Sequence, residues 1–293
     1  SANTNLGFKS TDSLRILMTR KESKTQWTGP QGDEATEARL AGLATAGARI
    51  TALTRVIEGN QQQITVVVDE SHDFPRLTEA PHLTVLDVDS TLIDQEVIDL
   101  LAEYAGVGEE VARITERAMQ GEIDFEQALR KRVGLLVGTP ARAIESISSA
   151  VTLRHGAEEL VKVLQAHGCR VGLVSGGFVQ VIAPVANTLG IDLVAANQLE
   201  VANDEITGRL DGPIVDRQGK AQALESFAQD ANVSAKNTVA IGDGANDIEM
   251  LKVANYGIAF NAKPALQEVA DVMVTSPYLS DCLYVLGLTP RAT

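Results

Sequence analysis

Two aspartates one residue apart end the apolar run Leu83-Thr84-Val85-Leu86-Asp87-Val88-Asp89, and two hydroxyls, Ser90 and Thr91, follow. A short run of this kind reads as a buried strand. The carboxyl end of such a strand is where an open α/β sheet places its chemistry. Two acids crowded there repel each other unless a cation or a proton sits between them. The pair therefore suits metal binding, a division of labour between nucleophile and acid/base, or both.

Three more short motifs stand at expected strand ends or helix starts: Ser175-Gly176-Gly177, Gly219-Lys220, and Gly242-Asp243-Gly244-Ala245-Asn246-Asp247. Phosphoryl transfer needs an in-line nucleophile, charge neutralisation on the equatorial oxygens and a proton for the leaving alkoxide. Asp87 can attack phosphorus, and Asp89 can give a proton to the departing oxygen and later take one from water. Ser175 offers a hydroxyl, and Gly176-Gly177 can turn backbone N–H groups toward an anion. Lys220 is a point charge suited to phosphate and to the Asp87 carboxylate. Taken singly these are a turn, a loop and a solvated lysine. Their joint occurrence carries the argument.

In this order the motifs resemble the haloacid dehalogenase superfamily of aspartate-nucleophile phosphatases, over about residues 83–290. The resemblance implies a covalent phospho-Asp87 and an Asp89 acid/base. It also implies Mg²⁺ held by Asp87, the Asp89 backbone carbonyl and Asp243. Asn246 and Asp247 would steady the metal waters and the nucleophile, while Ser175, Gly176, Lys220 and Asn246 would meet the phosphate. Glu96 and the stretch from Glu116 through Phe125 to Val133 resemble the cap of the phosphoserine phosphatase branch. That likeness implies O-phospho-L-serine as substrate and a place in serine biosynthesis. Glu96 would take the substrate ammonium and Arg132 its carboxylate. Met119 and Phe125 would wall out water, and Gly177 would line the substrate.

Plainer readings exist for the cap residues. Glu96 suits a helix start, Arg132 a solvated Arg-Lys-Arg face, and Met119 and Phe125 a cap core. A phosphotransferase, or a phosphatase for another small phosphorylated amino or hydroxy acid, would share the same core acids. An Asp-phosphorylated receiver-type signalling domain is disfavoured, because Asp89 and a long cap both promote turnover. An inactive Mg²⁺-binding scaffold is disfavoured because no member of the motif set is missing.

The elements that must hold these residues alternate. Core strands are expected at Leu83–Asp87, Arg170–Ser175, Leu193–Ala196, Thr238–Ile241, Gly257–Phe260 and Val272–Thr275. Asn203-Asp204 is a hairpin signal. Four helical stretches, Glu96–Ala105, Glu109–Gln120, Asp124–Val137 and Ala141–Ala150, form an insertion too long for a simple crossover. They read as a cap, at about 94–152. The fold class is α/β, a doubly wound and mainly parallel sheet with an inserted helical cap, over residues 81–293.

Residues 1–80 read as a small α+β unit for regulation or dimerisation, with a linker at Ser71–Pro81. Its pattern is a strand at Ser13–Thr19, a loop at Lys21–Glu34, a helix at Ala35–Ala46, and strands at Arg49–Ile57 and Gln63–Val68 around Glu58-Gly59-Asn60. This β-α-β-β order resembles an ACT-type amino-acid-binding domain lacking its second helix and last strand.

The formal charge of −14 over 293 residues argues against nucleic acid or an anionic membrane as partner. An anionic substrate must be drawn in by local cations or a metal. Cys169 and Cys282 lie in no paired or metal-binding spacing and read as free thiols. No apolar run approaches a membrane span, and no secretory signal opens the sequence. A cytoplasmic protein is expected, and a homodimer on the general frequency of such assemblies.

Overall fold

The computed structural model of the chain describes residues 22–70 and 80–290. The first described elements are β1 (Glu22–Pro30), α1 (Glu34–Thr45), β2 (Ile50–Glu58) and β3 (Gln61–Asp69). After β4 (Leu83–Asp87) come α2 (Val97–Ala105), α3 (Gly108–Met119), α4 (Phe125–Gly134) and α5 (Arg142–Ala150). The chain continues through α6 (Ala157–Ala166), β5 (Arg170–Phe178), α7 (Val179–Thr188), β6 (Leu193–Ala202) and β7 (Glu205–Asp211). It then runs through α8 (Arg217–Asp230), β8 (Thr238–Gly242), α9 (Ile248–Val253) and β9 (Tyr256–Phe260). The last elements are α10 (Pro264–Gln267), β10 (Val272–Thr275) and α11 (Cys282–Val285).

The ten strands among the described residues join one sheet, in the order β1-β3-β2-β10-β9-β8-β4-β5-β6-β7. From β4 the chain winds outward in parallel through β5 and β6, then returns to the other side through β8, β9 and β10. The winding reverses between β4 and β8, which opens a crevice at their carboxyl ends. Register fills that crevice with the motifs. Asp87 lies level with Val174, and Leu86 with Ile241, one residue short of Gly242.

Every residue of β4 is buried, as a central parallel strand covered on both faces must be. Leu83 and Val85 pack with Val174, Leu224 and Phe227 on one face. Leu86 packs into the larger apolar cluster on the other face. The two-residue period of a strand then turns Asp87 toward the face covered by α8. That parity is why a lysine on α8 can reach it.

Helices α2 to α5 are the insertion expected as a cap. Helix α4 opens on a capping box, in which Asp124 Oδ1 accepts from the Gln127 N–H at 2.8 Å and Gln127 Oε1 accepts from the Asp124 N–H at 3.4 Å. Helix α2 stops at Gly106, whose φ of 73° suits a left-handed terminus. The β6–β7 hairpin turns at Asn203 and Asp204, both at positive φ, as a two-residue turn requires.

One expectation fails in the N-terminal part. The loop expected over Lys21–Glu34 contains β1, paired antiparallel with β3 along its whole length. No residue of β1 is fully buried. An edge strand held by backbone hydrogen bonds carries no alternating apolar pattern for sequence reading to find. The strand expected at Ser13–Thr19 lies outside the described residues, as does most of the expected linker. The hairpin expected around Gly59-Asn60 forms between β2 and β3. β2 pairs in parallel with β10, so the two expected units share one sheet. Leu40, Leu53, Ile64 and Val66 enter the same apolar cluster as Leu283. Buried Arg55 donates to Asp281 through Nε at 2.8 Å and Nη2 at 2.9 Å.

Candidate active site

Asp87 ends β4 almost fully buried. Its Oδ1 accepts from Lys220 Nζ at 2.7 Å, and the same ammonium donates to Asp247 Oδ1 at 2.8 Å. Lys220 sits in the first turn of α8. That turn is fixed by the N-cap Asp216, whose Oδ1 accepts from the Gly219 N–H at 2.7 Å. The other oxygen of Asp247 accepts from the backbone N–H groups of Asp243 at 3.0 Å and Gly244 at 3.2 Å. Asp247 thus folds the loop that carries Asp243. Gly242 makes the approach possible, because a Cβ there would stand 2.5 Å from Asp247 Cγ. Thr91 Oγ1 donates to Asp243 Oδ1 at 3.3 Å.

The strip from Ser175 to Gly177 passes between the catalytic loop and the cap. Ser175 Oγ accepts from the Gly177 N–H at 2.8 Å. A Cβ on Gly177 would lie 3.0 Å from Asp89 Oδ2, and one on Gly176 3.2 Å from Phe125 Cζ. Both glycines therefore sit where backbone approaches closely, with Asp89 on one side and the cap ring of Phe125 on the other. Asn246 folds back over Gly244, its Oδ1 2.7 Å from where a Cβ would be.

Three positioning residues escaped the sequence reading. Asn197, buried on β6, donates to Gly176 O at 2.9 Å and accepts from the Val215 N–H at 2.7 Å, tying two site loops together. Its signal was an amide closing the apolar start of β6. Asp216 was legible as an N-cap three residues before Gly219. Arg154, whose Nη2 donates to Ser90 O at 2.8 Å, stands in no motif.

Burial raises Asp87, Asp243 and Asp89 alike, and their neighbours differ. Burial pushes the Asp87 carboxyl above its ordinary range, the Asp247 carboxylate adds to this, and the Lys220 ammonium opposes it. Burial also raises Asp243, again reinforced by Asp247. Burial pulls Lys220 down, but Asp247 and Asp87 outweigh it and hold the ammonium above its ordinary value. Asp89 is pushed up to about 8, by burial first and by the Glu96 carboxylate second. Its Oδ1 is buried without a hydrogen-bond partner. Asp87 thus has an ammonium as its direct partner, and Asp89 is biased toward its protonated form.

Asp87, Asp243 and Asp247 each bring a carboxylate oxygen within 4.8 Å of the others. Three acidic side chains surround one ammonium, and all the donors are hard oxygens. That set fits a divalent cation of the Mg²⁺ kind. Both oxygens of Asp247 are already engaged, which leaves Asp87 and Asp243 as the better-placed side-chain ligands.

The cap residues divide. Glu96, the residue before α2, accepts from Ser90 Oγ at 2.7 Å, and burial raises its pKa. Ser90 itself has φ of 58°. Arg132 on α4 is half-buried; its Nη1 donates to Thr115 Oγ1 and its Nε to Ala128 O, both at 3.3 Å. Burial lowers its pKa, against the pull of the Asp99 and Glu96 carboxylates. Phe125 reaches the glycine strip. Met119, expected on the apolar wall, is instead 74% exposed. It stands beside Asp99 and Thr115 on a recess of about 410 Å³.

Comparison with known proteins places this geometry. The haloacid dehalogenase-like hydrolase family matches residues 84–252. A phosphoserine phosphatase of Mycobacterium tuberculosis is 48% identical over 238 residues, covering 81% of this chain and 57% of that protein. One from Streptococcus thermophilus is 47% identical, covering 72% of this chain and 98% of that one. A solved phospho-aspartyl intermediate analogue of phosphoserine phosphatase superposes with a TM-score of 0.66 at 42% identity, covering 70% of this chain and 98% of that one. The chain spans little more than half the length of its longer relatives, 57% of the mycobacterial protein and 51% of one from Streptomyces coelicolor.

Proposed function

This chain belongs to the haloacid dehalogenase-like hydrolase family, and from that premise we propose that it hydrolyses O-phospho-L-serine to L-serine and phosphate. The observation that carries the reading is the contrast between its two loop carboxylates. Asp87 is held 2.7 Å from an ammonium, and Asp89, raised to about 8, has a buried Oδ1 without a hydrogen-bond partner.

In the first step an Asp87 oxygen attacks phosphorus in line, and the bond from phosphorus to the seryl oxygen breaks. Asp89 gives that oxygen its proton, so serine leaves as an alcohol. In the second step Asp89, now a carboxylate, takes a proton from water. The resulting hydroxide attacks phosphorus, and the bond to Asp87 breaks to release phosphate. Lys220 neutralises charge on the phosphoryl oxygens and on Asp87. The Ser175 hydroxyl, which accepts from the Gly177 N–H, and the Gly176 N–H receive the remaining phosphoryl oxygens, and Asn246 steadies the loop beside them.

Asp87, Asp243 and the Asp89 carbonyl, with Asp247 in support, would hold Mg²⁺. When bound, it offsets the surplus negative charge that otherwise repels a phosphate dianion. Glu96 takes the substrate ammonium and Arg132 its carboxylate, with Phe125 shielding the phosphoryl group from water. Met119 would join that wall only if the cap closes further on substrate. A homodimer is the proposed assembly. The cytoplasm is the proposed compartment, in keeping with two buried free thiols, Cys169 and Cys282. Among the described residues no helix is long and apolar enough to cross a membrane.

The reading is tested by phosphate release from phosphoserine, phosphothreonine and a phosphate lacking an amino group, with and without Mg²⁺. Phosphoserine should be turned over fastest and only with the ion. Faster release from the non-amino phosphate, or passage of the phosphoryl group to an added alcohol, would favour the related phosphatases and phosphotransferases instead.

A further inference from the structure

The two segments that carry the cap leave and re-enter the core side by side. Ile93 and Leu153 pair antiparallel. The Asp94 N–H donates to Thr152 O at 3.0 Å, and the Arg154 N–H to Leu92 O at 2.8 Å. Side chains lock the same clasp. Gln95 Nε2 donates to Thr152 Oγ1 at 2.9 Å, the Thr152 N–H donates to Gln95 Oε1 at 3.0 Å, and Thr152 Oγ1 donates to Asp94 Oδ2 at 2.9 Å.

From this clasp the Arg154 side chain turns back into the catalytic loop. Its Nη2 donates to Ser90 O at 2.8 Å. Its Nε lies 3.4 Å from Asp94 Oδ1, and its guanidinium lies over the Phe260 ring, 5.9 Å from the centroid. Ser90, directly after Asp89, holds φ at 58°. A serine reaches that left-handed conformation only against steric resistance, so contacts around it must hold it there.

We propose that Arg154 is a positioning residue, which fixes the Ser90 turn, aims Asp89 at the leaving oxygen, and ties that aim to the hinge of the cap. The inference rests on the two-step reading above. A guanidinium suits the task because one planar fork reaches a carbonyl and a carboxylate while its face lies on an aromatic ring. A lysine in its place could satisfy only part of this set. The substrate phosphate meets Lys220 and the glycine strip, so loss of Arg154 leaves ground-state binding largely in place. What it disturbs is the placement of the proton donor, and small misplacements of a catalytic group are costly.

The test uses Arg154→Ala and Arg154→Lys in the full chain with Mg²⁺. Phosphoserine, whose alkoxide needs a proton to leave, is compared with 4-nitrophenyl phosphate, whose phenolate does not. Phosphoenzyme formation is followed in single turnovers alongside steady-state kcat and KM. Arg154→Ala should lose about 100-fold in phosphoserine kcat, keep KM within about threefold, and lose under about tenfold in phosphoenzyme formation from the aryl ester. Arg154→Lys should recover part of the phosphoserine rate. Equal losses on both substrates, an unchanged kcat, or a rise in KM alone would overturn the proposal. Should Arg154→Ala not fold, the ratio of the two losses in Arg154→Lys decides by the same criterion. A wild-type protein inert toward phosphoserine would overturn only the substrate reading; phenyl phosphate against 4-nitrophenyl phosphate then makes the same comparison for Arg154.

Discussion

Lys220 and Asp87 face each other at 2.7 Å with both side chains shut away from solvent. The ammonium also meets Asp247 at 2.8 Å, so one cation serves an acid at the end of β4 and one in the turn after β8. Removing it leaves buried carboxylates uncompensated, which is far costlier than losing an exposed pair. Lys220→Met should therefore lose roughly 3–5 kcal/mol of stability at neutral pH and at least about 100-fold in kcat. Denaturant titrations and steady-state rates check both. A variant of unchanged stability would contradict the reading of this pair as a buried linchpin.

Asp89 makes stability depend on pH in a predictable direction. Its ordinary value is 3.8 and its folded value is raised to about 8. Below 3.8 both folded and unfolded chains hold the proton, and burial carries no titration penalty. Between these values the folded chain keeps a proton that the unfolded chain releases, so stability falls as pH rises. Above about 8 the penalty is complete. Asp89→Asn removes it. With a chelator present, the variant should be more stable than the parent, by a margin growing by roughly 1–3 kcal/mol from pH 5 to pH 8. Denaturant unfolding at several pH values measures the margin; a constant one would contradict the assignment.

Gly242→Ala tests the loop that Asp247 folds. The new Cβ would fall 2.5 Å from Asp247 Cγ and Oδ2 and 2.7 Å from its Cβ. Asp247 must move, taking with it the loop hydrogen bonds to Asp243 and Gly244. A destabilisation of about 1–3 kcal/mol and a weakened apparent affinity for Mg²⁺ are expected, read by melting and by metal titration of activity. Normal metal dependence would show that the loop tolerates the shift.

Arg132→Ala separates substrate choice from chemistry. Arg132 lies on α4 in the cap, bonded to Thr115 and Ala128 and not to any core acid. Its loss should reduce kcat/KM for phosphoserine by about 100-fold while 4-nitrophenyl phosphate changes by less than about threefold. Equal losses would remove it as the carboxylate partner.

These residues differ in how far the sequence revealed them. Asp87 and Gly242 end their strands and Ser175 lies three residues before the end of β5; at each an apolar run stops and a polar or glycine residue begins, so both element and site were legible together. The cap helices were legible from apolar spacing and from caps such as Asp124. Strand β1 was hidden because an edge strand with no fully buried residue carries no pattern. Arg154 and Asn197 were hidden for another reason. Each acts through a backbone carbonyl brought near by the fold; the amide closing the apolar start of β6 hints at Asn197, and nothing local announces the contact of Arg154. Met119 shows the converse, an apolar residue in a recognisable stretch that the packed cap leaves on its surface.

The central claim is that the Asp87 carboxylate itself takes up the phosphoryl group. Rapid acid quench of the Mg²⁺-bound protein with labelled phosphoserine, followed by peptide mapping, tests it directly. Label should appear on Asp87 within one turnover, accumulate in Asp89→Asn as hydrolysis of the intermediate slows, and vanish in Asp87→Asn. Turnover of phosphoserine by Asp87→Asn, or label on any other residue, would contradict the account.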